Sequence, residues 1–161
     1  MSAQKVVRIR RPLAAQFAAD ADATATMYMA SRRAMLPGLR EPHTEAETRA
    51  WMRDIVFTRH SVRLADVDGE IIGFAARDGA WLMNLYVKPG WTGRKIGTRL
   101  LEAVLIEAAA ATPVLRLHTF TRNEGARRFY ERHGFVAVGF GDGSGNEERE
   151  PDVRYERSTR E

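Results

Sequence analysis

The sequence contains no cysteine. That absence excludes disulfides, thiolate nucleophiles and zinc–thiolate sites, and it suits a cytoplasmic protein. No apolar run approaches the ~18 residues a membrane-spanning helix needs, and residues 1–11 lack the apolar stretch of a secretory signal, so neither a membrane partner nor export is expected. Nor is there a dense stripe of Lys and Arg interleaved with aromatics. The formal net charge is +4, yet the basic residues are scattered among Asp and Glu, which speaks against a dedicated nucleic-acid binder. His, Asp and Glu never cluster at metal-ligand spacing, so no metal is expected. No interior stretch is rich enough in Pro, Gly or Ser to separate two domains, and no repeat stands out; residues 1–161 read as a single domain.

What is present is the composition of a soluble globular protein, with 44% hydrophobic and 29% charged residues in a chain of 161, long enough to bury a core. Val6, Val7 and Ile9 suggest a first strand closed by Pro12. The Ala-rich stretch 20–35 reads as a helix, broken by Leu36-Pro37-Gly38. Thr44 and Glu47 have the spacing of a capping box, which predicts a second helix carrying Trp51, Ile55 and Val56. Asp68-Gly69 and Asp78-Gly79 are turn signals between runs 62–67, 71–76 and 81–87, an antiparallel meander. A glycine-containing loop then feeds a long helix over 97–111, closed by Pro113. A strand over 114–120, a helix over 123–133, a strand over 135–140, a polar loop over 142–152 and a short strand over 153–155 complete the order βααβββαβαββ. The fold class is α/β, a mixed and mostly antiparallel central sheet flanked by about four helices.

Two segments carry chemistry. The first runs from Leu85, Tyr86 and Val87 through Gly93, Arg94, Lys95, Ile96, Gly97 and Thr98. Glycines leading into a helix N-terminus gather unpaired amides and the positive end of the helix dipole, which suits a phosphate; the alternative is a surface loop with two solvated cations. The second is Asn123-Glu124-Gly125-Ala126-Arg127-Arg128-Phe129-Tyr130, ending at His133-Gly134-Phe135. Asn123, Ala126, Arg127 and Tyr130 share one helical stripe, where the small Ala126 leaves room for a ligand; the alternative is a capped amphipathic helix with Tyr130 in the core.

The order of elements and these two segments resemble the GNAT superfamily of N-acetyltransferases along nearly the whole chain. Asn123-x-x-Ala126-x-x-Phe129-Tyr130-x-x-x-Gly134-Phe135 matches the family's late helix, and Leu85-Tyr86-Val87-x-Pro89 with Ile96-Gly97 matches its acetyl-CoA motif. The chain departs from the fingerprint at Thr92, where Arg or Gln is usual, and at Lys95, where the first Gly is usual. The resemblance implies transfer of an acetyl group from acetyl-CoA to a primary amine of a small molecule, peptide or protein, by direct attack through a tetrahedral intermediate. Leu85 and Val87 would bond the pantetheine arm through their backbone, with Tyr86 between them and the strand splayed open. Residues 93–98 would cradle the pyrophosphate, Asn123 and Ala126 would border the pantetheine, and Tyr130 would protonate the departing thiolate.

For the base that frees the amine, His118 is the candidate, five residues before Asn123, where the ribosomal-protein N-terminal acetyltransferases place a Glu; a structural strand histidine and a water chain are the alternatives. His133 is read as structural, His43 and His60 as exposed, and Trp51 and Trp81 as core. Arg127 and Arg128 either reach the 3′-phosphate of CoA or face solvent. Asp142, Glu147, Glu148 and Asp152 would draw a cationic amine or form a solvated turn. A non-catalytic acyl-CoA-binding or regulatory module on the same fold is the competing reading, and a homodimer is left open.

Overall fold

The computed structural model describes residues 5–160. Seven strands form one sheet: β1 (Arg8–Arg10), β2 (Ser61–Val67), β3 (Glu70–Asp78), β4 (Trp81–Val87), β5 (Val114–Phe120), β6 (Val136–Gly141) and β7 (Asp152–Ser158). Their spatial order is β1-β2-β3-β4-β5-β7-β6. All neighbours are antiparallel except β4 and β5, which run parallel because the connection between them is a crossover through a helix. The helices are α1 (Phe17–Met35), α2 (Glu45–Trp51), α3 (Phe57–Arg59), α4 (Ile96–Ala108) and α5 (Glu124–Arg132). A π-helical turn, Met52–Val56, joins α2 to α3, so the two form one continuous rod. This mixed sheet flanked by helices is the α/β class expected. No helix among the described residues is long and apolar enough to cross a membrane.

Local sequence explains the joints. Thr44 Oγ1 accepts from the Glu47 amide at 3.1 Å and the Thr44 amide donates to Glu47 Oε1 at 2.9 Å, closing the capping box at the start of α2. At the β2–β3 hairpin Asp68 and Gly69 take φ values of 51° and 88°, left-handed geometry that Asp tolerates and Gly accepts freely.

The sheet separates two apolar clusters. On one face Leu100, Leu101 and Val104 of α4 and Tyr130 of α5 pack on Ala65, Ile72, Leu115, Leu117, Val153 and Tyr155. On the other face Ala21, Ala25 and Met27 of α1, with Met52 and Val56, pack on Leu64 and Phe74.

Several boundaries differ from the sequence expectation. α1 begins at Phe17, not at residue 20, because Phe17 packs edge-on against Phe57 at 5.8 Å and Asp20 receives Arg10 at 3.0 Å. α4 stops at Ala108, with the Thr112 amide closing on the Ala108 carbonyl at 2.8 Å. β7 continues to Ser158 because its whole length pairs with β5, from Phe120↔Asp152 to Val114↔Ser158. Its charged residues, Arg154, Glu156 and Arg157, hide that length from a scan for apolar runs.

Candidate functional site

β4 and β5 are in register at one pair only, Trp81↔Arg116. β4 stays paired with β3, and β5 with β7, so the two strands part toward Val87 and Phe120 and open a gap in the sheet. The Lys88 amide donates to the Ile72 carbonyl at 2.7 Å on the β3 side. Backbone groups alternate along a strand, so those of Leu85 and Val87 face the gap. The Val87 carbonyl already accepts Ser31 Oγ at 3.1 Å, which leaves its amide and the Leu85 groups on that edge.

A cavity of about 460 Å³ lies between this edge, the N-terminus of α4 and the α5 stripe. Of the residues singled out in the sequence, Leu85, Tyr86, Val87, Gly93, Lys95, Ile96, Gly97, Thr98, Ala126 and Tyr130 line it. The first amides of α4 have no intrahelical carbonyl to meet, so they and the helix dipole make this end electropositive. Gly93 turns at φ 78°, and Lys95, the residue before α4, takes φ 63°, a left-handed conformation in a residue with a Cβ. Arg94 is not part of the lining; its guanidinium lies 4.7 Å from the Trp91 ring centroid. Thr98 Oγ1 meets His133 Nε2 at 3.0 Å, while His133 Nδ1 meets the Phe129 carbonyl at 2.7 Å. The carbonyl can only accept, so Nδ1 carries a proton, and Nε2 shares a hydrogen bond with the Thr98 hydroxyl. His133 thereby ties α4 to α5. An added Cβ on Gly97 would stand 3.4 Å from the Phe129 ring, which shows how closely these helices meet.

A larger cavity of about 1100 Å³ opens on the α1 and α2 side of the sheet. Met35, Leu85, Tyr86, Ala126 and Tyr130 line both cavities, so the two join at the gap. Tyr130 is 7% exposed, and burial, reinforced by the neighbouring Tyr86, pushes its hydroxyl well above the usual phenol range. His118 projects from β5 into the larger cavity, its ring stacked on Trp81 at 5.0 Å and 9°. Asn123 lines this larger cavity, and its Oδ1 caps α5 by accepting the Ala126 amide at 3.1 Å.

Other expectations need correction. His60 is not exposed: its side chain is 9% exposed and lines the larger cavity. Trp51 is half-buried against Tyr28 and lines the cavity too, so neither it nor the half-buried Trp81 is a core residue in the strict sense. Of the loop carboxylates, Asp142 and Glu147 are exposed, as in a solvated turn, while Glu148 and Asp152 are half-buried. Glu148 pairs with Arg32 at 2.9 Å, Glu147 with His43 at 2.6 Å, Asp142 accepts the Ser144 amide at 2.9 Å, and Asp152 accepts Asn146 Nδ2 at 3.3 Å. Arg127 donates to the Tyr155 hydroxyl at 3.0 Å, and Arg128 lies 3.7 Å from Glu124 on an exposed face.

Arg32 carries no signal in the sequence. Only 5% exposed, it donates to Glu41 at 3.0 Å, to Glu148 and to the Tyr86 hydroxyl at 3.3 Å, with the Tyr28 ring 5.2 Å away. Burial alone would lower its pKa, but the Tyr86, Tyr28 and Glu41 partners raise it, so the guanidinium stays charged. It joins α1, the loop after α1, β4 and the β6–β7 loop around the larger cavity. Its partners lie up to 116 residues away in sequence, which is why no local pattern announces it.

Residues 58–137 match the family model of the acetyltransferase (GNAT) domain. An uncharacterised N-acetyltransferase of Methanocaldococcus jannaschii is 31% identical over 84 residues, covering 45% of this chain and 37% of that protein. The chain spans well under two thirds of the curated relatives it matches, 57% in the case of an N-acetyltransferase of Archaeoglobus fulgidus. Among solved structures, an N-acetyltransferase of Thermoplasma acidophilum in complex with coenzyme A superposes with a TM-score of 0.67 at 22% identity, covering 95% of this chain and 99% of that one. The matched segment holds the meander, the α4 loop and the whole of α5, and the superposition extends to nearly every strand and helix around them. The chain belongs to the GNAT acetyltransferase superfamily.

Proposed function

We propose that the protein, acting as one domain, transfers an acetyl group from acetyl-CoA to a primary amine of a small molecule, peptide or protein. The observation that carries this reading is Tyr130, buried at the point where the smaller and larger cavities join. The smaller cavity suits the acyl donor. Leu85, Val87 and Ile96 supply apolar walls for a pantetheine arm, and the α4 amides with Lys95 and Arg132 supply positive potential for a pyrophosphate. The amine enters from the larger cavity. Its lone pair attacks the thioester carbonyl to give a tetrahedral intermediate, and collapse of that intermediate breaks the C–S bond. The thiolate takes its proton from Tyr130, whose hydroxyl burial keeps protonated. His118, on the amine's side of the gap, takes the proton the amine gives up.

The test is the thermal stability of the purified protein with and without acetyl-CoA, with CoA release measured over a panel of amines. Acetyl-CoA at 100 times its Kd should stabilise by about 2.7 kcal/mol. Stabilisation with CoA release supports the transferase. Stabilisation without release from any amine favours a non-catalytic acyl-CoA-binding module, and no shift at any concentration overturns the assignment of the smaller cavity.

A further inference from the structure

We infer that Met35 sets the length of the acyl group this protein takes. It is the movable wall of the passage between the two cavities, and it restricts the donor to acetyl-CoA and propionyl-CoA. This rests on the transferase reading and adds to it a residue that selects the acyl donor.

In that reading the thioester stands beside Tyr130, so acyl carbons beyond the carbonyl lie where the cavities join. Five residues line both cavities there: Met35, Leu85, Tyr86, Ala126 and Tyr130. Four of them are held. Tyr130 is part of the apolar cluster under α4, and Leu85 and Ala126 pack against that cluster. Tyr86 packs against the cluster on the other face, its ring stacked on Phe74 at 5.9 Å and its hydroxyl accepting from Arg32 at 3.3 Å. Met35 is the exception. It is the last residue of α1 and is 43% exposed, so its side chain borders open space and can move into or out of the passage.

Its resting place is set by Ser31. Ser31 Oγ lies 3.1 Å from the Val87 carbonyl and 3.4 Å from Met35 Sδ, which brings the thioether to the strand edge that borders the gap. A hydroxyl has one proton and the carbonyl is the stronger acceptor, so the hold on the sulfur is weak. An unbranched thioether with several rotatable bonds yields to a small intrusion. The one added carbon of a propionyl group is met by rotation of that side chain. The two added carbons of a butyryl group run into it.

The test measures Kd and kcat/KM for acetyl-, propionyl-, butyryl- and hexanoyl-CoA in wild type, Met35→Ala, Met35→Leu and Met35→Phe. Free CoA, which carries no acyl group, is the reference for binding, and its thermal shift reports that each variant is folded. In wild type, propionyl-CoA should stay close to acetyl-CoA, and butyryl-CoA should fall about tenfold or more below it in kcat/KM. Met35→Ala removes every heavy atom beyond Cβ, so the preferred chain should lengthen by about two to three carbons. Met35→Phe should lower propionyl-CoA relative to acetyl-CoA, and Met35→Leu should keep the wild-type order. A wild type indifferent to chain length, or the wild-type order retained in Met35→Ala, overturns the inference while the transferase reading stands. If no amine is acetylated, the Kd series decides. Tighter binding of the longer acyl-CoAs relative to CoA in Met35→Ala supports the wall although the transfer reading fails. If neither CoA nor any acyl-CoA binds, the assignment of the smaller cavity and the role of Met35 fall together.

Discussion

Three residues carry expectations that single substitutions can check. Tyr130→Phe removes a hydroxyl and little volume, so the buried ring should keep its packing. CoA release should fall about 100-fold in kcat, while the thermal shift with acetyl-CoA is retained. His118 presents only one face to Trp81, leaving its ring edges toward the larger cavity. His118→Ala should lower the rate and flatten the limb of the pH–rate profile that reports the base; an unchanged profile would remove His118 from the mechanism. Lys95 holds a left-handed backbone in which its Cβ crowds the carbonyl. Lys95→Gly should raise unfolding stability by about 1 kcal/mol in a denaturant titration. It should not improve acetyl-CoA affinity, because a cation is lost from the lining of the smaller cavity.

At the scale of elements, the parting of β4 from β5 depends on how tightly β4 is held on its other side. Gly73 of β3 lies opposite Val87, and a Cβ there would stand 3.1 Å from the Tyr86 carbonyl and 3.2 Å from Leu100. Gly73→Ala therefore has to displace backbone at the strand that borders both cavities. It should destabilise by about 1–3 kcal/mol and weaken the acetyl-CoA thermal shift, both read in one melting experiment. The pairing of α4 with α5 has its own device in Thr98, His133 and Phe129, which orients the helix that carries Tyr130. The sequence marks the ends of these helices through Asn123, Gly134 and the capping box at Thr44, because capping is a contact within a few residues. It does not mark the π turn at Met52–Val56, and the start of α1 at Phe17 depends on Phe57, forty residues away.

At the scale of the whole molecule, Glu107 draws distant parts together. Its carboxylate meets Arg77 at 2.8 Å, Arg63 at 2.5 Å, Arg11 at 3.3 Å and the Ser61 hydroxyl, so α4, β2, β3 and the segment after β1 converge on it. Burial pushes its pKa up, but hydrogen bonds from Ser61 and Arg77 and the charges of Arg63 and Arg11 pull it below the ordinary value of 4.5. A depressed pKa adds stability that is present above the ordinary value and disappears as the pH falls through the lowered one. Glu107→Gln should destabilise on the order of 3 kcal/mol at neutral pH, and the gap from wild type should close in melts carried below pH 4.5. The sequence by itself determined the class of fold, the meander, the glycine-bearing entry to α4 and the stripe that holds Ala126 and Tyr130, because these follow from periodicity, turn chemistry and capping over short stretches of chain. Only the tertiary structure decided that β7 inserts between β5 and β6, that Asn123 lines the larger cavity, that the His60 side chain is buried there, and that Arg32 ties α1 to three other segments. Each of these depends on groups far apart in the chain meeting where water is excluded, and no window of neighbouring residues holds that information.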